Sequence, residues 1–199
     1  MRPLGILACA ALVGLLSAGM PTAQAVDVEG TIGFLGSPAG PAVVYLEAPP
    51  GATGAAAEAR VVMDQKNLTF LPHVLPVVRG TKVEFTNSDD VEHNVFSPSR
   101  SAGRFDLGTY GPGATRTVTL AEAGDVRVLC NIHMEMEAHI LVLGTPYFAT
   151  VAPDGRYRIA DVPAGTYTLK IWRERWLPLA RTIEVPASGT VIADVPSER

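Results

Sequence analysis

The chain has 199 residues, of which 47% are hydrophobic and 18% are charged. This composition excludes an intrinsically disordered chain, and the length suffices for one or two domains of roughly 100 residues each. The 16 Lys and Arg residues stand against 20 Asp and Glu residues, so we expect no nucleic-acid partner. The 19 Gly and 16 Pro residues are typical of a fold with many short strands and turns.

The first 25 residues have the organisation of a signal peptide. Arg2 precedes an apolar run over residues 4–16, and a small-x-small cleavage pattern, Ala-Gln-Ala, follows at residues 23–25. An uncleaved membrane anchor is the competing interpretation, but the run is short for the roughly 20 residues that a bilayer requires. We therefore expect cleavage after Ala25, no membrane span in the mature chain, and a periplasmic location.

Cleavage at that point would leave Cys130 as the single cysteine, because the other cysteine, Cys9, lies in the apolar run. Exported proteins usually pair their cysteines, since the compartment is oxidising. A lone exported thiol needs another explanation, and metal ligation is one.

From residue 26 onward the apolar and turn residues predict strands and no helix, so the fold class should be all-β. Two strands are predicted at 28–34 and 42–47, and a linker rich in Pro, Gly and Ala follows at 48–59. Seven or eight short strands are then predicted at 61–63, 70, 74–78, 82–86, 94–96, 115–120, 126–130 and 138–143. That density predicts a Greek-key sandwich or barrel over residues 60–144.

A third stretch, residues 145–199, has strands predicted at 156–159 and 166–171. About fifty residues make only a marginal core by themselves. We therefore predict that this stretch packs with the strands of residues 26–50 into a second small sandwich of about seven strands. The domain at residues 60–144 would then be inserted in, or joined to, this second sandwich.

Four potential metal ligands occur in a spacing that indicates a copper site. Cys130, His133 and Met136 form the pattern Cys-x-x-His-x-x-Met, and His93 lies 37 residues upstream of the cysteine. A thiolate and two imidazoles with a weak thioether suit a copper ion that cycles between two oxidation states. Because Cys130 ends a strand with alternating apolar residues, its thiol should point toward the core. We expect one copper ion per chain.

Residues 60–144 resemble the cupredoxins, and the short ligand loop looks most like that of the amicyanins. The resemblance rests on residues 83–87 (Val-Glu-Phe-Thr-Asn), on His-Asn-Val at residues 93–95, and on the three ligands in order at residues 130–136. It implies a Greek-key β-sandwich with one copper ion. The implied ligands are His93, Cys130 and His133, with Met136 in the axial position.

The resemblance also gives Asn94 a role, because cupredoxins carry an Asn after the first histidine that ties the two ligand loops together. An outer bond of this kind would fix the ligand geometry, although the residue could simply start a turn. Met134 is an alternative axial ligand, but it more naturally forms an apolar rim around His133. A glutamate in the axial position, giving a red rather than a blue site, is a further alternative.

Three other features have two interpretations each. His73 and His139 could belong to a second metal site, but single histidines of this kind are more often hydrogen-bonded or surface residues. The acidic run at residues 89–92 could steer a basic partner or could be a solvated loop. The segment Trp-Arg-Glu-Arg-Trp at residues 172–176 could bind a partner or could close a strand end over the core.

Residues 28–47 and 147–195 resemble the carboxypeptidase regulatory-like domain, a transthyretin-like sandwich. The match lies chiefly in Gly-Thr-Ile at residues 30–32, in residues 152–157, and in residues 162–169. The resemblance implies a rigid platform or partner-binding module, and it implies no peptidase activity.

These observations together predict an electron carrier and not an enzyme. The expected function is one-electron transfer between periplasmic redox proteins such as a cytochrome or a dehydrogenase. Copper sequestration or delivery through the same ligands is the alternative. A nucleophilic enzyme that uses Cys130 and His133 would need an orienting group and an oxyanion site, and the sequence has no motif for either.

Overall fold

The computed structural model describes residues 25–33, 40–47, 60–100, 103–175 and 179–196. Within these ranges the chain is all-β, as predicted, with sixteen strands and no helix. It follows that no helix in the described ranges is long and apolar enough to cross a membrane. The predicted signal peptide up to residue 24, the linker at 48–59 and Trp176 lie outside the described residues.

The strands follow one another through the chain with short connections between most of them. They are β1 (Val26–Thr31), β2 (Ala42–Glu47), β3 (Val61–Gln65), β4 (Phe70–Leu71), β5 (Val74–Val78), β6 (Lys82–Asn87), β7 (His93–Ser97), β8 (Phe105–Tyr110), β9 (Thr115–Thr119), β10 (Gly124–Leu129), β11 (Glu137–Leu143), β12 (Phe148–Thr150), β13 (Arg156–Val162), β14 (Gly165–Arg173), β15 (Leu179–Val185) and β16 (Thr190–Ile192).

Strands β3 to β11 form two facing sheets, which we call the first sandwich. The sheet orders are β5-β11-β10-β7-β8 and β4-β3-β6-β9. Strand β5 runs parallel to β11, and β3 runs parallel to β6, so connections must cross from one sheet to the other as in Greek-key folds.

The core of the first sandwich lies between its two sheets. Val83 and Phe85 come from one sheet and Val126 and Val128 from the other, and all four side chains are fully buried in one cluster. Because strand side chains alternate between faces, the same alternation continues from Val128 to the buried Cys130. The prediction that the cysteine thiol is directed inward is thereby confirmed.

The remaining strands form a second pair of sheets, which we call the second sandwich. Their orders are β13-β1-β16 and β12-β2-β14-β15, so the two predicted strands β1 and β2 lie in opposite sheets. Val28 and Ile159 from one sheet pack with Leu46 and Leu169 from the other. Gly30 lies where β1 approaches the end of the chain: a Cβ there would come within 2.6 Å of the Ala193 carbonyl oxygen.

The two sandwiches meet at an apolar cluster, which we call the junction. Val43 of β2 is buried there with Val74, Leu141 and Leu143 of the first sandwich. The partly buried rings of Tyr45, Phe148 and Trp172 pack around this cluster. Apolar side chains from both pairs of sheets therefore share one buried patch.

Candidate metal centre

The three strongest ligand candidates converge at one end of the first sandwich. His93 is the first residue of β7, and Cys130 directly follows the last residue of β10. These neighbouring strands pair through Phe96 and Leu129, which holds the two ligand-bearing ends side by side. His133 comes from the loop between β10 and β11.

The donor atoms of His93, Cys130 and His133 all lie within 4.8 Å of one another. The Nδ1 atoms of the two histidines face each other at 3.1 Å. That separation lets one ion reach both nitrogens at the roughly 2.0–2.1 Å typical of metal–imidazole bonds. A soft thiolate beside two imidazoles fits copper better than it fits the harder cations Mg²⁺ or Ca²⁺.

Burial differs among these three side chains. His93 is fully buried, Cys130 is 3% exposed, and His133 is half-buried. The site is therefore closed toward the core and reaches the surface at His133.

Backbone hydrogen bonds close the loop that carries the later ligands. The Cys130 amide donates to the Met136 carbonyl at 3.3 Å, and the Met136 amide donates to the His133 carbonyl at 3.0 Å. The Met136 side chain is 1% exposed, whereas that of Met134 is 80% exposed. The loop thus turns Met136 inward and Met134 toward solvent.

Asp89 contacts the site, a role that its place in the acidic run at residues 89–92 does not indicate. Its Oδ2 atom lies 2.9 Å from Nε2 of His93. The Asn67 backbone amide donates to Oδ1 of Asp89 at 2.6 Å, and the Leu68 amide donates to Oδ2 at 3.0 Å. Burial opposes ionisation of Asp89, but the hydrogen bonds from Leu68, His93 and Asn67 outweigh it and lower the pKa of its carboxyl.

Asn94 makes a different contact from the one expected of it. Its Nδ2 donates to Asp106 of the neighbouring strand β8 at 3.1 Å. Its buried Oδ1 atom has no hydrogen-bond partner, so the expected tie to the Cys130 loop is absent from the hydrogen bonds of this described side chain. The reason is local, since Asp106 lies on β8, which pairs directly with β7 beside Asn94.

A buried polar pair lies next to the site. Tyr110 is paired with His93 across β7 and β8, and its hydroxyl accepts a hydrogen bond from Gln65 Nε2 at 2.7 Å. Burial raises the pKa of Tyr110 to about 12, and the proximity of Cys130 contributes to the same shift. Tyr110 therefore stays neutral at physiological pH.

His73 and His139 are hydrogen-bonded residues at the junction, which was the preferred interpretation. His139 Nδ1 lies 2.9 Å from Asp125, and His73 Nε2 lies 3.0 Å from Glu174. Trp172 packs its ring 5.2 Å from that of His139 and donates to Asp125 at 3.3 Å. Neither histidine belongs to the one group of potential metal ligands that the described residues form.

Comparison with known proteins bears on the first sandwich. Residues 57–143 match the family described as copper binding proteins, plastocyanin/azurin family. The match covers less than half of the chain, and it supports a cupredoxin domain of this family in that part. No curated protein matches the chain.

Several solved structures are similar to about half of the chain. A copper-containing nitrite reductase from Thermus scotoductus is 27% identical with a TM-score of 0.41; the match covers 48% of this chain and 25% of that one. A purple cupredoxin from Nitrosopumilus maritimus is 20% identical with a TM-score of 0.38; the match covers 42% of this chain and 99% of that one. Amicyanin from Paracoccus versutus is 22% identical with a TM-score of 0.39; the match covers 42% of this chain and 81% of that one. The chain thus spans only a quarter of the length of the reductase.

Proposed function

We propose that this protein is an exported one-electron carrier with a single copper ion bound by His93, Cys130 and His133. The observation that carries the proposal is the convergence of one thiol and two imidazole nitrogens within 4.8 Å at a mostly buried site. Copper bound there would supply reversible one-electron oxidation and reduction. The pairing of β7 with β10 holds His93 and Cys130 side by side, and it would keep these two ligands in place whichever charge the ion carries.

Met136 is the proposed axial ligand. Its side chain is buried in the same core cluster as Cys130, whereas Met134 extends into solvent. The three glutamates around the loop are less suited to this position. Glu137 is held by two hydrogen bonds from Arg127 on β10, and Glu92 and Glu135 are exposed. Met136 is thus the soft donor that the loop turns toward the core.

Electrons would enter and leave through the exposed edge of His133. The side chains of Ile132 and Met134 beside it are 45% and 80% exposed, and they form an apolar rim on which a partner could dock closely. The proposed partner is a redox protein such as a cytochrome or a dehydrogenase. The proposed periplasmic location rests on the signal-peptide pattern of residues 1–25.

We also propose that the second sandwich is a carboxypeptidase regulatory-like domain that residues 60–144 interrupt. The supporting observation is that no described sheet mixes strands from residues 61–143 with strands from the flanking segments. The flanking segments contribute seven described strands, a number that suits a small sandwich.

The test is to load the purified chain, lacking residues 1–25, with Cu(II) and record its visible spectrum. An intense charge-transfer band is expected, and it should disappear in Cys130→Ser because the thiolate is its source. Met134→Ala is the matched control, since this loop residue is exposed, and it should keep the band. A colourless protein that binds only Cu(I) would favour the alternative function, copper sequestration or delivery.

A further inference from the structure

The Asp89 carboxylate makes three hydrogen-bonding contacts beside the candidate metal centre. It meets His93 Nε2 and the amides of Asn67 and Leu68, all within 3.0 Å. Its side chain is only 11% exposed, and that of His93 is fully buried. The carboxylate is thus anchored on one side by the backbone and faces a ligand on the other.

The anchoring turn is itself unusual. Asn67 and Leu68 have φ angles of +56° and +55°, a left-handed conformation that leucine seldom adopts. This conformation places both amides in reach of Asp89. Because two backbone donors hold the carboxylate, it cannot rotate freely away from His93.

The carboxylate beside Nε2 determines which nitrogen of the His93 ring carries the proton. A neutral imidazole carries one proton, and an anionic acceptor beside Nε2 keeps that proton on Nε2. Nδ1 then presents its lone pair toward His133 and Cys130, as a metal ligand must. The same hydrogen bond makes the ring a stronger electron donor, which favours the more highly charged state of a bound metal.

We propose, on the basis of the proposed copper function, that Asp89 is a positioning residue that fixes His93 for metal binding and lowers the reduction potential of the site. The acidic run at residues 89–92 therefore contains one member that faces inward. Asp90, its neighbour, is exposed.

The test compares Asp89→Asn with Asp90→Asn, which makes the same change of charge one residue away. Loss of an outer partner of a ligand typically costs about 10–100-fold in metal affinity, so Cu(II) affinity should fall by that factor in D89N alone. Each tenfold loss confined to Cu(II) raises the potential by about 59 mV. Equal affinities and potentials in the two variants would overturn the proposal.

A second measurement needs no variant. Long-range ¹⁵N NMR of the copper-free chain should show His93 protonated at Nε2, with a slowly exchanging proton, and bare at Nδ1. A proton on Nδ1 would overturn the proposal even if D89N did not fold.

Failure of the proposed function can be told apart from failure of this inference. If the wild-type chain gave no blue copper signal, the proposed function would fail. A normal signal with equal D89N and D90N potentials would reject only the role of Asp89.

Discussion

At the residue scale, the ligand loop separates two methionines that the sequence places only two positions apart. Met136 is buried in the core of the first sandwich and Met134 is exposed. The preference for Met136 over Met134 as the inward ligand followed from the spacing of the family that the loop resembles, and the shortness of the loop agrees with it. The role of Asp89 could not be predicted, since it depends on the left-handed turn at Asn67 and Leu68.

Replacing these methionines by alanine should have unequal effects on stability. In the copper-free chain, Met136→Ala should lower the free energy of unfolding by about 2–5 kcal/mol, because it leaves a cavity in a packed core. Met134→Ala should change it by less than about 0.5 kcal/mol. Urea denaturation measures both values, and equal effects would mean that the loop does not bury Met136.

At the element scale, β10 and β11 connect the candidate metal centre with the junction. The loop between these strands contains His133, and Leu141 and Leu143 of β11 lie in the apolar cluster of the junction. Asp125 of β10 hydrogen-bonds His139 of β11 and also accepts from Trp172 of β14. Burial opposes protonation of His139, but its hydrogen bond to Asp125 and the charges of Asp125, Glu174 and Glu137 outweigh this and raise its pKa above 6.5.

The raised pKa of His139 predicts a pH dependence of stability. A histidine whose pKa is higher in the folded chain stabilises the fold fully below its unfolded pKa, and this contribution disappears as pH rises through the folded pKa. Between pH about 6 and 8, the unfolding free energy of the copper-free wild type should fall more steeply than that of Asp125→Asn. Parallel pH profiles in denaturant titrations would show that the Asp125 contact does not act on His139.

The strands also show what local sequence patterns can and cannot reveal. β2 was predicted at its observed bounds, because five of its six residues are apolar and Gly, Pro and Ala bound the run. β8 was not predicted: it is an edge strand with mostly exposed or half-buried residues, and Gly108, at φ +71°, interrupts its pattern. β16 has three residues and pairs with β1 from the far end of the chain, which no local pattern reports.

At the scale of the whole molecule, two cores are joined by the junction. Trp172 from the second sandwich packs on His139 of the first and on the apolar cluster of the junction. Glu174, two residues later, pairs with His73. The two sandwiches should therefore unfold as a single cooperative unit.

Removing the Trp172 ring should make the two sandwiches unfold separately. Calorimetry of the copper-loaded wild type should give one transition, because a ligand that binds one sandwich stabilises everything that unfolds with it. Trp172→Ala should give two transitions, only one of which depends on copper. Trp172→Phe, which keeps an aromatic ring but lacks the N–H donor, should behave more like the wild type. Two transitions already present in the wild type would contradict this coupling.

Reversible exchange of single electrons by one copper ion bound to His93, Cys130 and His133 can be measured directly. The most direct measurement is a reductive and oxidative titration of the copper-loaded chain, monitored by its visible charge-transfer band. The band should bleach with one electron per chain and return fully on reoxidation. A band that is absent, or that does not return because the metal is lost on reduction, would contradict reversible one-electron exchange.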